Sequence, residues 1–230
     1  QAMGQLDKTG RDYLADPVIE PIHFGFTESL LRFRDLRRTF PAAKILMGTG
    51  NLTELTEADT LGMQALLMGI ISELGITNIL TTQVSAHASG VIREADRARR
   101  VMFAAREAGD LPQGFGETLL ALHSLDPFPW SSDEIAATAA EIKDPSFRVQ
   151  ISPDGLHVYN RDGLHTATDP FQLFPHLGLE HDGSHAFYLG VELARAQIAW
   201  QLGKRYVQDR PLDWGCAVDR AAAEDLTRHQ

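Results

Sequence analysis

The sequence predicts an α/β protein: three parallel βα units in its first half, then a small α+β domain with one long helix. Three observations carry this expectation. From Tyr13 to Gly109, short apolar runs alternate with stretches of helical length and few residues lie between them. That order calls for parallel strands joined by right-handed crossovers. Residues 110–133 then gather Pro112, Gly114, Gly116, Pro127 and Pro129, the composition of a linker. Beyond residue 146 the period changes to short runs broken by turn residues, and a long apolar stripe follows.

Each element has its own justification. Tyr13–Ile22 opens as a strand running into Asp16-Pro17. Thr27–Phe40 reads as a helix with Thr27 as N-cap, Glu28 in the first turn, Arg37 and Arg38 in the last, and Pro41 after the stop. Lys44–Met47 is a second strand, leading into the turn Gly48-Thr49-Gly50-Asn51. Thr56–Leu74 is a helix, apolar nearly all round, with Thr56 and Asp59 close to a capping box and Gly75 at its end. Ile76–Thr82 is the third strand, and Ser89–Ala108 an Arg-rich helix stopped by Gly109. Ser132–Ile142 is a short helix with Ser132 as N-cap. Phe147–Ile151 and Leu156–Asn160 flank Ser152-Pro153-Asp154-Gly155, a hairpin signal, and Asn160–Gly163 turns into a third strand at Leu164–Ala167. His185–Gly203 is a helix on the stripe Leu189, Leu193, Ala196 and Trp200. A last helix is expected over Val218–Thr227.

Composition narrows the function classes. The chain has 230 residues, 43% hydrophobic and 23% charged, which is globular usage. Its net charge of -10 argues against sequence-independent binding to nucleic acid or to an anionic membrane. The imbalance is uneven, -2 over residues 1–110 and -8 over 111–230. A single cysteine, Cys216, fits a reducing compartment, and the expected location is the cytoplasm. No apolar run reaches membrane-spanning length, and Gln1-Ala2-Met3-Gly4 has no signal-peptide pattern.

Sites in parallel α/β folds lie beyond the carboxyl ends of the strands. Those ends carry Asp16 and Glu20, then Gly48–Asn51, then Thr81–Gln83. By spacing alone, Asp16-Pro17 and Glu20-Pro21 are turn signals, though a strand-end carboxylate also suits ligand N–H groups. The Gly48–Thr53 stretch is neither a phosphate-binding P-loop nor G-x-G-x-x-G, and reads equally as a tight turn or a close ligand approach. In the second half, His185, Tyr188, Glu192 and Arg195 share one helix face. His157, His165, His176, His181 and His185 lack metal-ligand spacing, so no metal is expected. Arg93, Arg97, Arg99, Arg100 and Arg106 form a basic cluster interleaved with acids, a solvated face or a contact for an anion.

Tyr13-Leu14-Ala15-Asp16-Pro17-Val18-Ile19-Glu20-Pro21 resembles the Asp-Pro strand of pterin-binding barrels, the dihydropteroate synthases and the corrinoid-dependent methyltetrahydrofolate methyltransferases. Ile45 to Thr53 resembles the Gly-x-Ser-Asn segment of the methyltransferases, and the order of elements holds over about residues 10–108. His185-Ala186-Phe187-Tyr188-Leu189-Gly190, Glu192-Leu193-Ala194 and Tyr206-Val207-Gln208-Asp209, with Asp169-Pro170-Phe171 before them, are similar to the carboxyl-terminal domain of dihydropteroate synthase-like proteins from organisms that make tetrahydromethanopterin. The resemblance implies a partial pterin-binding barrel of TIM type over 10–109, a linker over 110–133 and a C-terminal α+β domain over 134–230. It implies a pterin as substrate or ligand, bound by Asp16 and Asn51 with Gln83 nearby. A role for His185, Tyr188, Glu192, Arg195, Gln208 and Asp209 is not implied. The synthase's Lys has no counterpart at Asn51–Thr53, the methyltransferase's Arg is replaced by Asp59, and no Arg-x-His closes a final strand. Three activities therefore stay open: a synthase-type transferase, methyl transfer between a methylpterin and a corrinoid, and a non-catalytic pterin-binding or assembly subunit. The resemblance also implies an amino-terminal half of the same protein, or a second copy, as the partner that covers the open sheet. This chain alone is expected to be inactive.

Overall fold

In a computed structural model, residues 2–219 are described. The chain divides into two compact units. One runs up to Leu119 and takes back Gly215–Asp219, and the other is Leu120–Trp214. The division falls within the stretch 110–133. Of the helix expected over Val218–Thr227, everything from residue 220 onward lies outside the described residues.

The first unit runs α1 (Ala2–Asp7), α2 (Phe26–Thr39), β1 (Leu46–Gly48), α3 (Gly50–Thr53), α4 (Thr60–Glu73), β2 (Asn78–Leu80), a 3-10 turn at Ala86–Ala88 and α5 (Val91–Ala108). Strands β1 and β2 are parallel, with Leu46 opposite Asn78 and Gly48 opposite Leu80. The strand expected over Tyr13–Ile22 contracts to one parallel bridge, Ala15 to Ile45. Pro17 has no N–H to give a ladder. Val18 then turns the chain away at φ 62.

Helix ends also move. Gly25, at φ 112, precedes α2 where Thr27 was expected to cap it. Helix α4 starts at Thr60 rather than Thr56, because Ala58 N–H turns back onto the Thr56 carbonyl. The glycine-containing turn after β1 becomes the short α3. Ala95, Ala98, Val101 and Ala105 are the buried face of α5, and small side chains let it approach α4 closely. Ile19, Phe33, Ile45, Met47, Leu67 and Met68 form the core. Arg37 ties the far end of this unit together, donating to the carbonyls of Pro41, Ala43, Leu74 and Gly75 at 2.7–3.0 Å.

The second unit runs α6 (Ser132–Glu141), β3 (Arg148–Ser152), β4 (Gly155–Asn160), β5 (Gly163–Ala167), α7 (Pro170–Leu173), a 3-10 turn at Phe174–His176 and α8 (Gly183–Leu202). The strands form an antiparallel sheet in chain order. Gly155 is required at the hairpin, since at φ 137 a Cβ would sit 2.8 Å from the Ala167 carbonyl oxygen. All of β4 is buried because both sheet faces are covered. Leu156 and Val158 join Leu189, Leu193 and Ala196 of α8 in one core. Tyr159 packs with Ile135 and Ala139 of α6 in the other. Ser131, not Ser132, caps α6 in a reciprocal box with Glu134. That frees the Ser132 hydroxyl for Ser152 and Asp154.

Among the described residues no helix is long and apolar enough to cross a membrane. Small parallel and antiparallel sheets with flanking helices make this a mixed α/β chain.

Candidate functional site

A cleft of about 310 Å³ opens at the carboxyl ends of the parallel strands. Asp16, Val18 and Ile19 line it from the first strand end, Gly48, Gly50, Asn51, Glu54 and Leu55 from the second, and Leu80 and Thr82 from the third. Sequence reasoning singled out Asp16 and Asn51, and both are here. Gln83 is exposed and does not line the cleft, although its neighbour Thr82 does.

Each polar group is anchored to backbone. Asp16 Oδ1 accepts from Val18 N–H at 2.8 Å, which leaves Oδ2 as a further acceptor. Asn51 Nδ2 donates to the Ile19 carbonyl at 2.7 Å, leaving its own carbonyl oxygen as acceptor. Arg32 donates to the carbonyls of Pro17 and Val18 and pairs with Glu20, so its guanidinium holds the Asp16 loop. A β-branched residue at positive φ is a genuine outlier, and Val18 occupies that conformation on the cleft wall.

Glu54 was not singled out by sequence reasoning, and Thr82 entered only within the strand-end stretch Thr81–Gln83. Glu54 accepts from Val84 N–H at 2.9 Å and Ser85 N–H at 2.8 Å. The bonds from Ser85, and then from Val84, hold its carboxyl down at about 2, so it is a fixed anion at neutral pH. It had no legible signal, because its partners lie thirty residues onward on a loop without a motif. Gly50 is the site's close-approach glycine: a Cβ there would meet Thr82 Oγ1 at 2.6 Å. The lining residues include neither Lys nor Arg. The cleft is thus rich in hydrogen-bond acceptors.

The second unit gathers the residues of the C-terminal signature. Glu192 is 2% exposed. It accepts from Arg195 at 2.7 Å, Tyr206 Oη at 2.6 Å and Asp209 N–H at 3.2 Å. Tyr188 Oη donates to Asp209 Oδ1 at 2.6 Å and accepts from Gln208 Nε2 at 2.8 Å. Gln208 Oε1 accepts from Val149 N–H, fastening this loop to β3. Burial, and then the bond to Glu192, push the Tyr206 hydroxyl well above its ordinary value. Burial and the bond to Asp209 raise Tyr188, so both stay protonated donors. His185 bonds Asp182 at 2.8 Å in the cap of α8. His181 precedes that helix. Among the described residues no group of three His, Cys, Asp or Glu side chains converges as metal ligands do. In the basic cluster, Arg99 and Arg100 bond Asp96, while Arg93 donates to the carbonyls of Cys216 and Ala217.

No family model matches the chain, and no solved structure matches it. It is similar to an uncharacterized protein of Methanocaldococcus jannaschii, 29% identical over 219 residues. The alignment takes in 85% of this chain but 42% of the relative, so the chain spans less than half the length of the protein it matches.

Proposed function

We propose that this chain is the carboxyl-terminal part of a dihydropteroate synthase-like protein that binds a pterin and acts in tetrahydromethanopterin biosynthesis. The observation that carries the reading is the strand-end cleft, where Asp16 Oδ2 and the Asn51 carbonyl are the unengaged acceptors and Glu54 is a fixed anion. A pterin ring presents an amino group and a ring N–H to such acceptors. The parallel order of the Ala15 bridge, β1 and β2 suits part of a TIM-type barrel.

In the proposed reaction an arylamine nitrogen displaces diphosphate from the pterin methylene carbon. Asp16 and Asn51 would hold the ring, and catalysis would rest on positioning and charge stabilisation. The groups that bind the diphosphate would come from the longer protein, since no cationic side chain lines the cleft. That same feature, with Asn51, favours a second reading: methyl transfer between a methylpterin and a corrinoid. A pterin-binding subunit without turnover is the third.

The test is pterin titration, with and without the diphosphate, of this chain and of a longer protein carrying an amino-terminal half. Two or three polar contacts contribute on the order of 1–3 kcal/mol each and barely offset ligand immobilisation. The chain alone is therefore expected to bind at millimolar level or undetectably. The longer protein is expected to bind orders of magnitude more tightly, and Asp16→Asn to abolish that gain. Absorbance change of an added corrinoid would select methyl transfer, and binding without turnover the subunit. A longer protein that ignores pterins would end the reading. Micromolar binding by a monomer of residues 1–230 would end the partial-barrel version of it.

A further inference from the structure

The second unit has a pocket of its own, about 460 Å³, that the pterin reading does not use. Its walls are Pro145, Phe147, Leu179 and Leu189, and its polar end is made by Tyr188, Gln208 and Asp209, with His185 at the rim. The polar groups are committed in one direction. Gln208 spends its amide on Val149 N–H, the Phe147 carbonyl and Tyr188. Tyr188 gives its proton to Asp209 Oδ1. Of these three groups, what remains is Asp209 Oδ2 on an exposed carboxylate; Ser146 and His185 complete the polar lining, which includes neither Lys nor Arg.

The backbone holds that carboxylate in place. Asp209 sits at φ 65, a conformation Asp tolerates better than most residues. Its N–H is fixed by the buried Glu192. Removing a carboxylate from water is costly, and here the buried Glu192 positions the exposed Asp209. The charge set behind the pocket is Glu192 with Arg195, and Asp182 pairs with His185 at its mouth. Asp209 therefore stands as a carboxylate at the end of an apolar slot, with a hydroxyl rather than a cation as its partner.

We propose that this pocket is a binding site for a small cationic amine carried on an apolar ring or chain. The ammonium group takes Asp209 Oδ2, and the hydrocarbon part lies against Phe147, Leu179 and Leu189. The ring of Tyr188 adds a face to which a cation is attracted. An anionic ligand of the same shape is excluded by the unneutralised carboxylate, and a neutral one finds an acceptor without a matching charge.

The proposal is tested by titrating the full chain with benzylammonium, benzyl alcohol and benzoate while following backbone amide shifts by NMR. Benzylammonium is expected to bind at sub-millimolar Kd and to move the amides of 146–149, 185–189 and 208–209. Benzyl alcohol is expected to bind at least tenfold more weakly and benzoate not at all. Asp209→Asn keeps the backbone conformation, since Asn suits positive φ, and keeps an acceptor for Tyr188. It is expected to weaken benzylammonium at least tenfold, with the amides of β4 unmoved as proof of folding. Equal binding of the three probes, no binding of benzylammonium at 10-millimolar order (about ten times the weakest Kd expected for it), or an unchanged benzylammonium Kd in the Asp209→Asn chain overturns it. Asp16→Asn, which tests the pterin cleft, is expected to leave this titration unchanged, so the two readings fail separately.

Discussion

The two candidate pockets are built in opposite ways. In the first unit, Asp16 on a loop, Asn51 in the short α3 and Glu54 at its end stand at the ends of parallel strands, and each is tied to a backbone group. In the second unit, Tyr188 joins Gln208 to Asp209, and Asp209 rests on Glu192, a carboxylate buried on α8. Loop-borne sites depend on the scaffold that aims them, whereas a hydrogen-bonded network carries its own geometry. The difference teaches which pocket can work in an isolated chain. On the proposed partial-barrel reading the cleft takes further strand ends to enclose a ligand, while the second pocket draws every lining group from residues 145–209.

The comparison breaks most sharply at Glu192. Replacing it with Leu keeps the volume but leaves the buried Tyr206 hydroxyl and the Asp209 N–H without their acceptor. Arg195, about a third exposed, can turn to water. The cost is expected at the lower end of that for breaking a buried pair, about 3 kcal/mol. Trp130, Trp200 and Trp214 all lie in the second unit, so tryptophan fluorescence in urea follows that unit alone. A loss below about 1 kcal/mol, the worth of an ordinary hydrogen bond, would show that the network does not fasten the loop.

How much of this was legible differs between the units. In the second, Pro153-Asp154-Gly155 marked the hairpin, and the α8 stripe marked the face that packs on it. The signature residues were readable as a set, but their joining was not, because Gln208 and Asp209 reach Tyr188 only after the chain leaves α8 and returns past Tyr206. In the first unit the three long helices were legible, the short α1 and α3 were not, and the strands were overdrawn. The apolar run at Tyr13–Ile22 pairs at Ala15 alone, since proline and a positive φ end it. Asp16 and Asn51 could be placed from strand ends, yet Glu54 could not, for no local rule sends a residue of a turn to cap a distant loop. Helix α7 was missed because four residues give no period to read.

Acidification should separate the units next. His157 is 2% exposed and bonds Ser152 Oγ at 2.8 Å and Thr166 Oγ1 at 2.9 Å. Burial lowers its proton affinity below the ordinary 6.5, against a smaller opposing pull from Asp154. His165, stacked on His176 at 4.4 Å, is lowered by burial and by that neighbour. The unfolded chain thus takes up these protons first, so stability present above pH 6.5 is lost as pH falls below it. In the first unit the lowered groups are carboxylates, Glu54 and Asp96. Their contribution persists until pH drops under the ordinary 4.5 of Glu and 3.8 of Asp. Urea midpoints from tryptophan fluorescence should fall between pH 7.5 and 5.5, and His157→Gln should flatten the slope. An equal fall in amide protection of β1 and β2 would refute the separation.

The smallest effect concerns strain at the cleft. Val18 holds φ 62 and is 45% exposed as a residue, so it gains little from burial to offset an unfavourable backbone. Such a conformation costs on the order of 1–3 kcal/mol, and glycine removes it while adding about 0.5–1 kcal/mol of unfolded-state entropy. Val18→Gly should therefore stabilise the first unit by about 0.5–1 kcal/mol, read from hydrogen exchange at Met47 and Ile79. The Arg32 bonds to the Pro17 and Val18 carbonyls are backbone contacts and remain available. If the strained turn serves to aim Asp16, the same change should weaken pterin binding by the longer protein severalfold, even as stability rises. Stability gained with affinity intact would make the strain incidental to the cleft. Stability lost would mean that the Val18 side chain contributes more than its exposure suggests.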